Sequence, residues 1–314
     1  MTLQKKYIPE TWDEIIGQSE VVPTLRQYTS IGELPHLLFA GTSGVGKTAC
    51  AYVLAKELGV SLIELNASDE RGIDTIRGKL KTLLFTSGER IILMDEADAV
   101  TPDGQAALRR PMEQALQRTN NRLILTVNRP WKIIDAISSR CTNFYFKPLS
   151  KEALTTIAYR VLKREGLKFS SKEEIKQIVN ALVTHSQGDA RKLLDVIDSY
   201  SHSKESLLQY IQKKNAEVNQ IKEIFQASIS GDWSESLMKL ESWLIQQPTM
   251  NSSEIIEMFY AEVKDLDIAS LYKFQVYQRL ADTERALKLQ TSPLVQISGF
   301  LASVMAITHF KGGE

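Results

Sequence analysis

The chain has 314 residues, 43% of them hydrophobic, which is enough to bury one large core or several small ones and excludes a disordered chain. Lys plus Arg equals Asp plus Glu at 38 each, which excludes a global positive field that would hold nucleic acid indiscriminately. Cys50 and Cys141 share no metal-ligand spacing and the four histidines add none, so no zinc site is expected and reduced thiols of a cytoplasmic or nuclear protein are.

Residues 1–9 lack the apolar core of a signal peptide, and the late apolar stretch 294–307 is interrupted by Gln296. No membrane partner is expected. From about residue 36 to 147, short β-rich runs at 36–40, 61–65, 90–95, 122–128 and 142–147 alternate with helical patterns. That alternation predicts an α/β domain with a parallel sheet flanked by helices.

The first run leads into Gly41-Thr42-Ser43-Gly44-Val45-Gly46-Lys47-Thr48, and a helix is expected to begin near Thr48. Strand, glycine-rich loop and helix together form the context of a P-loop. Glycines let backbone N–H groups approach phosphate oxygens, and the helix N-terminus adds a positive dipole. Lys47 then suits the β/γ charge of ATP, and Thr48 suits Mg2+.

Residues 72–81 read as the start of a helix with Arg77 and Lys81 four apart on one face. That face reads either as a track for one DNA strand or as a solvated basic surface. The free N–H groups at such a helix start bind phosphate without reading bases.

The run 91–94 delivers Asp95 and Glu96 at the C-terminal end of a buried strand, where open α/β sheets place ligands. Asp95 suits magnesium and Glu96 suits an attacking water, the alternative being a solvated acidic loop. Asn128 ends the next strand, and its amide is placed either to orient that water or touch the γ-phosphate, or to serve as a turn residue.

After Pro148 the strands stop. Ser150 before Lys-Glu-Ala-Leu and Ser170/Ser171 before Lys-Glu-Glu-Ile are expected N-caps of amphipathic helices. From about Ser206 a further helical stretch, punctuated by Gly231, Pro248 and Pro293, predicts a bundle.

The order and wording of these motifs resemble the clamp-loader branch of the AAA+ ATPases, replication factor C small subunits above all. Lys6-Tyr7-Ile8-Pro9, Ile16-Gly17-Gln18 and Leu34-Pro35-His36-Leu37-Leu38-Phe39-Ala40-Gly41 carry the resemblance first. Asn66-Ala67-Ser68-Asp69-Glu70-Arg71-Gly72, Ala107-Leu108-Arg109-Arg110, Ser139-Arg140-Cys141 and Gly188-Asp189-Ala190-Arg191 extend it. It spans roughly residues 5–195 and is fainter beyond.

The resemblance implies a P-loop ATPase domain over 1–148, a helical lid over 149–205 and an all-helical collar over 206–314 through which subunits assemble. It implies a DNA-stimulated ATPase that works with a sliding clamp, a large subunit, other small subunits and primer–template DNA in a pentameric hetero-oligomer. Lys47, Glu96 and Asn128 would act in catalysis, joined by Arg191 from the lid and by Arg140 acting in trans on a neighbour's ATP. Tyr7, Ile16 and Gly17 would stand near adenine, with residues Thr42, Ser43, Gly44, Val45, Gly46 and Thr48 on the phosphates. Arg71, Arg77, Lys81, Arg109 and Arg110 would contact DNA. Leu83-Leu84-Phe85 would either plug a groove on the clamp or pack beneath the next strand.

Three departures stand out: Ile8 where the family usually has arginine, Pro111 where it usually has threonine, and the segment 82–90, which is short for the family. The rival expectations are a different AAA+ nucleic-acid motor, for branch migration or helicase loading, and a non-hydrolysing scaffold subunit.

Overall fold

The computed structural model describes residues 2–67, 73–167, 169–200, 203–247, 250, 252–289 and 291–309. The chain divides into two compact units, residues 1–208 and 209–314.

In the first unit, α1 (Leu3–Lys6) and α2 (Val21–Leu25) precede β1 (Leu37–Ala40), α3 (Lys47–Glu57), β2 (Ser61–Asn66) and α4 (Ile73–Phe85). Then come β3 (Glu89–Asp95), α5 (Pro102–Arg118), β4 (Asn120–Val127), α6 (Asp135–Ser138) and β5 (Thr142–Tyr145). Helices α7 (Lys151–Arg164), α8 (Lys172–Ser186) and α9 (Ala190–Tyr200) complete it. The unit boundary falls within α10 (Lys204–Ser230), and α11 (Trp233–Gln246), α12 (Ser252–Asp265), α13 (Ser270–Lys288) and α14 (Pro293–His309) follow.

Among the described residues the strands form one parallel sheet in the order β2-β3-β4-β1-β5. Its central strands are apolar on both faces because both are covered. Leu37, Phe39, Ile91, Leu93 and Ile124 point to the α3 side, while Leu38, Ala40, Ile92, Met94, Leu123 and Leu125 point to the α4–α5 side. Strand β1 lies between β4 and β5, so the chain leaves it in one direction for β2 and returns on its other side as β5. The loop after β1 therefore opens at the point where the winding reverses, the crevice that takes ligands in open α/β sheets.

Two strand ends differ from the expected runs by two residues, and the others by one at most. Strand β4 begins at Asn120 because the polar Asn121 and Arg122 are buried within it. Asn121 Nδ2 donates to the carbonyls of Leu83, Leu84 and Thr86 at 3.2, 2.9 and 2.8 Å, and Arg122 Nε donates to the Leu34 carbonyl at 2.5 Å. Strand β5 stops at Tyr145: the Phe146 N–H still reaches the Ala40 carbonyl at 2.7 Å, but the Lys147 N–H turns to Gln18 Oε1. Pro148 then has no N–H to offer a ladder.

The helix ends follow their side chains. Ser150 Oγ accepts from the Ala153 N–H at 3.2 Å to cap α7, and Ser171 Oγ accepts from the Glu174 N–H at 3.0 Å to cap α8. Helix α5 starts at Pro102 behind the cap Thr101 and runs through Pro111 without ending there. Leu84 is fully buried, with Leu83 and Phe85 packed against the same cluster on the α4–α5 side, so this run is core.

The second unit has its own core of stacked helices. Phe225, Phe259 and Phe300 form a triangle with centroids 5.7 to 6.4 Å apart, beside the buried Trp243. Ser228 donates to the Leu301 carbonyl at 2.7 Å and Ser236 to the Ile224 carbonyl at 3.1 Å, so both buried hydroxyls are satisfied. No helix among the described residues is long and apolar enough to cross a membrane.

Candidate nucleotide site

Three carboxyl ends of the sheet meet at one edge. The glycine-rich loop follows β1, Asp95 ends β3 and Asn128 follows β4, whose Thr126 lies beside Asp95 because Met94 pairs with Leu125. A cavity of about 700 Å³ opens there. Its walls are Tyr7 to Glu10, Ile15 and Ile16 from the N-terminal arm, Ser43 to Thr48 from the loop, and Asp95, Glu96 and Asn128 from the sheet edge. Ile157, Arg160, Val161 and Arg164 of α7 and Arg191 and Leu194 of α9 close the far side. Apolar side chains from the arm and polar groups from the loop and sheet edge thus border one cavity, the combination that a nucleobase with a phosphate tail requires.

The loop takes its shape from its glycines. Gly44 and Gly46 have φ of +66° and +101°, conformations that residues with a Cβ rarely adopt, and Gly46 is the residue before α3 begins at Lys47. A Cβ on Gly46 would meet nothing within 4 Å, so its backbone borders open space. A Cβ on Gly44 would lie 1.6 Å from Asp189 Oδ1, because the turn before α9 rests directly on the loop. The Ala190 N–H donates to the Gly44 carbonyl at 3.0 Å, and Asp189 Oδ1 accepts from the N–H groups of Arg191 and Lys192 at 2.7 and 3.1 Å.

Lys47 is buried at 7% exposure, with its ammonium at 2.8, 2.7 and 2.9 Å from the carbonyls of Gly41 and Thr42 and from Asn128 Oδ1. Burial lowers its pKa to about 8, opposed chiefly by the Asp95 charge. Asn128 is itself fixed, its N–H donating to Asp98 Oδ1 at 3.1 Å.

The acidic pair is held by Thr126. Its hydroxyl hydrogen-bonds Asp95 Oδ1 and accepts from the Glu96 N–H at 3.2 Å. Glu96 takes a left-handed φ of +56° and its side chain is exposed to the cavity mouth. A Thr48 hydroxyl and an Asp95 carboxylate bordering one cavity are the hard oxygen donors that suit magnesium alongside phosphate oxygens. Among the described residues, no three His, Cys, Asp or Glu side chains gather to hold a metal ion by themselves. A magnesium ion that takes most of its ligands from phosphate and water needs no such cluster.

The structure brings together most of the residues singled out in the sequence. Tyr7, Ile16, Ser43, Gly44, Val45, Gly46, Lys47, Thr48, Asp95, Glu96, Asn128 and Arg191 all line the cavity. Thr42 does not line it and contributes its carbonyl to Lys47; Gly17 borders a separate small depression with Pro148. Arg140 lies outside the cavity of its own chain: its Nε donates to Glu113 Oε1 at 2.7 Å and its Nη1 to the Ala136 carbonyl at 2.7 Å. Lys81 on α4 and Arg109 and Arg110 on α5 are exposed, and these two helices pack side by side on one face of the sheet. Arg71 lies outside the described residues, and Arg77 lies on α4 with its side chain outside them.

Sequence reasoning did not single out Thr126, Arg160, Arg164 or Glu165. Each reaches the site only through contacts between distant segments, and no local pattern marks them.

Comparison with known proteins agrees with this geometry. Residues 37–149 match the family described as ATPase family associated with various cellular activities (AAA), and residues 216–303 match the replication factor C C-terminal domain. The replication factor C small subunit of Methanocella arvoryzae is 35% identical over 320 residues, covering 98% of this chain and 95% of that protein. That of Haloarcula marismortui is 34% identical over 312 residues, covering 96% and 94%. Among solved structures, the RuvB Holliday junction branch migration motor of Thermotoga maritima superposes with a TM-score of 0.53 at 17% identity, over 69% of this chain and 79% of that one. At that identity the likeness shows the AAA fold alone, whereas the archaeal relatives match from end to end. With both family matches and near full-length relatives above 30% identity, this chain belongs to the replication factor C small-subunit family of AAA ATPases.

Proposed function

We propose that the chain is one ATP-driven subunit of a clamp loader, which opens a ring-shaped sliding clamp and leaves it closed around primer–template DNA. Residues 1–148 serve as the ATPase domain, 149–205 as the lid and 206–314 as the collar of a pentameric hetero-oligomer with a large subunit.

Lys47 meets the β/γ-phosphates of ATP, exchanging some of its bonds to loop carbonyls for phosphate oxygens. Asp95 and Thr48 hold Mg2+, which when bound neutralises developing phosphate charge. Glu96 accepts the proton of the attacking water, and Asn128, tied to Lys47 and to Asp98, orients that water against the γ-phosphate. Arg191 reaches the phosphates from α9 of the same chain. Lys81, Arg109 and Arg110, on adjacent exposed helices, follow the DNA backbone without reading sequence.

The observation that carries this reading is the division between the two arginines. Arg191 lines its own cavity, with Arg160 and Arg164, whereas Arg140 pairs with Glu113 outside it, which supports a role for Arg140 at a neighbouring subunit's γ-phosphate. The test is steady-state ATP turnover of the assembled complex with and without clamp and primed DNA. Stimulation by both together is expected, and turnover indifferent to both contradicts the reading.

A further inference from the structure

Two segments far apart in the chain, the N-terminal arm and the C-terminal end of α7, meet at the wall of the cavity. Tyr7 Oη donates to Glu165 Oε1 at 2.5 Å, and Lys6 Nζ reaches the same oxygen at 2.7 Å. The Arg164 guanidinium and the Lys6 ammonium stand 5.9 and 5.7 Å from the Tyr7 ring centroid. Upstream, the Leu3 N–H donates to Asp198 Oδ2 of α9 at 3.2 Å, and the Gln4 amide bonds Asp195 of the same helix. Downstream, Arg160 of α7 donates to the Glu14 carbonyl at 3.3 Å. The arm is therefore fastened to the two helices that carry Arg160, Arg164 and Arg191 into the cavity.

Glu165 is out of place for the good of α7 alone. It is the C-cap residue, where the negative end of the helix dipole disfavours a carboxylate. Hydrogen bonds from Lys6 and then Tyr7 nevertheless hold its carboxyl below the usual range. Burial and the bond to Glu165 raise the Tyr7 phenol to about 12, so a phenol donates to a carboxylate throughout the neutral range. The polar end of Tyr7 is thus committed to the lid, and its ring is already in contact with two cations.

We propose that the Tyr7–Glu165 hydrogen bond is a latch that holds α7 and α9 over the nucleotide, which makes Tyr7 a positioning residue and not a stacking platform for the base. The latch rests on the reading of the cavity as the ATP site. It fixes the lid position from which Arg191 approaches the phosphates, and it acts on ATP and ADP alike because it touches neither.

Tyr7→Phe removes the hydroxyl while keeping the ring and its burial, and Glu165→Gln removes the charge at nearly constant size. Losing a hydrogen bond to a charged group costs roughly tenfold in an equilibrium constant. Each single variant should therefore bind a fluorescent ATP or ADP analogue roughly tenfold more weakly, with the loss in KM and a change in kcat under about twofold. In the Glu165→Gln background, where the amide oxygen still accepts a weaker bond from the phenol, Tyr7→Phe should add less than it costs alone, the non-additivity of two groups in one contact. Hydrogen exchange without nucleotide reads the latch by itself: amides of α7 and α9 should exchange faster in Tyr7→Phe than in wild type. If Tyr7→Phe is silent in both measurements while Tyr7→Leu weakens binding, the ring stacks on the base and the latch is wrong. Additive losses in the double variant, or a fall in Tm with unchanged nucleotide affinity and unchanged exchange, also overturn it. Failure of the ATP-site reading looks different: Lys47→Ala would then bind nucleotide as wild type does, whatever the exchange data say of the latch.

Discussion

In the proposed function Lys47 meets the phosphates of ATP, and its environment makes that role measurable. Its three donors are satisfied by two loop carbonyls and Asn128, and burial lowers its pKa to about 8 from an ordinary 10.5. Above pH 8 the free protein therefore holds this side chain increasingly neutral, and an incoming triphosphate restores its charge. Nucleotide binding should take up a proton between about pH 8 and 10 and weaken as pH rises through that window, measured by titration calorimetry in buffers of different ionisation enthalpy. Binding without proton uptake at pH 9 would place the phosphates elsewhere. That Lys47, Thr48, Asp95 and Glu96 border one cavity was legible in the sequence because a glycine-rich turn and an acidic strand end are local patterns with a chemical reason. Thr126 was not, since its role depends on the register that sets it beside Asp95. Tyr7 was legible as a cavity residue but not as a partner of Glu165, which lies 158 positions away.

Elements meet at His36, the buried histidine just before β1. Its Nε2–H donates to the Met112 carbonyl of α5 at 3.0 Å, and its Nδ1 accepts from the Leu123 N–H of β4 at 2.9 Å. The neutral ring is thus a pin between helix and sheet, and burial lowers its pKa to about 4 from 6.5, helped by Arg122 and opposed by the Met112 bond. The unfolded chain takes up a proton near 6.5 while the folded one resists until about 4. Folding stability should therefore fall as pH drops from 6.5 to 4, by on the order of 3 kcal/mol from this group, with no further loss from it below. Urea denaturation across that range checks it, with His36→Gln expected to flatten the dependence. The sheet was readable in advance because its buried strands are continuous apolar runs, and the caps Ser150 and Ser171 because a hydroxyl before an amphipathic run has a mechanism. The start of β4 was hidden, since the buried Asn121 looks like a loop residue until its carbonyl partners are seen. The Leu83–Phe85 run is ambiguous in the same way: only the fold tells core from docking surface.

At the scale of the whole molecule, the chain presents a cavity lined by a P-loop, an acidic pair, a polar amide and the arginines Arg160, Arg164 and Arg191, while Arg140 lies outside it. Arg140 is held by Glu113 and by the Ala136 carbonyl, outside the cavity of its own chain. The proposed division of the site between subunits would leave no trace in one chain's periodicity. It rests on the resemblance carried by Ser139-Arg140-Cys141 and not on any spacing, and the proposed collar is likewise readable only as a helical stretch. An arginine supplied in trans contributes on the order of a thousandfold or more to phosphoryl transfer. Arg140→Ala chains should bind ATP with wild-type affinity yet hydrolyse it poorly once assembled. The most direct measurement is ATP turnover of complexes mixed from Arg140→Ala and Lys47→Ala chains, each defective alone. The account predicts partial recovery in the mixtures, from interfaces where an intact Lys47 faces an intact Arg140. Activity no greater than the sum of the two variants measured separately would contradict a shared site.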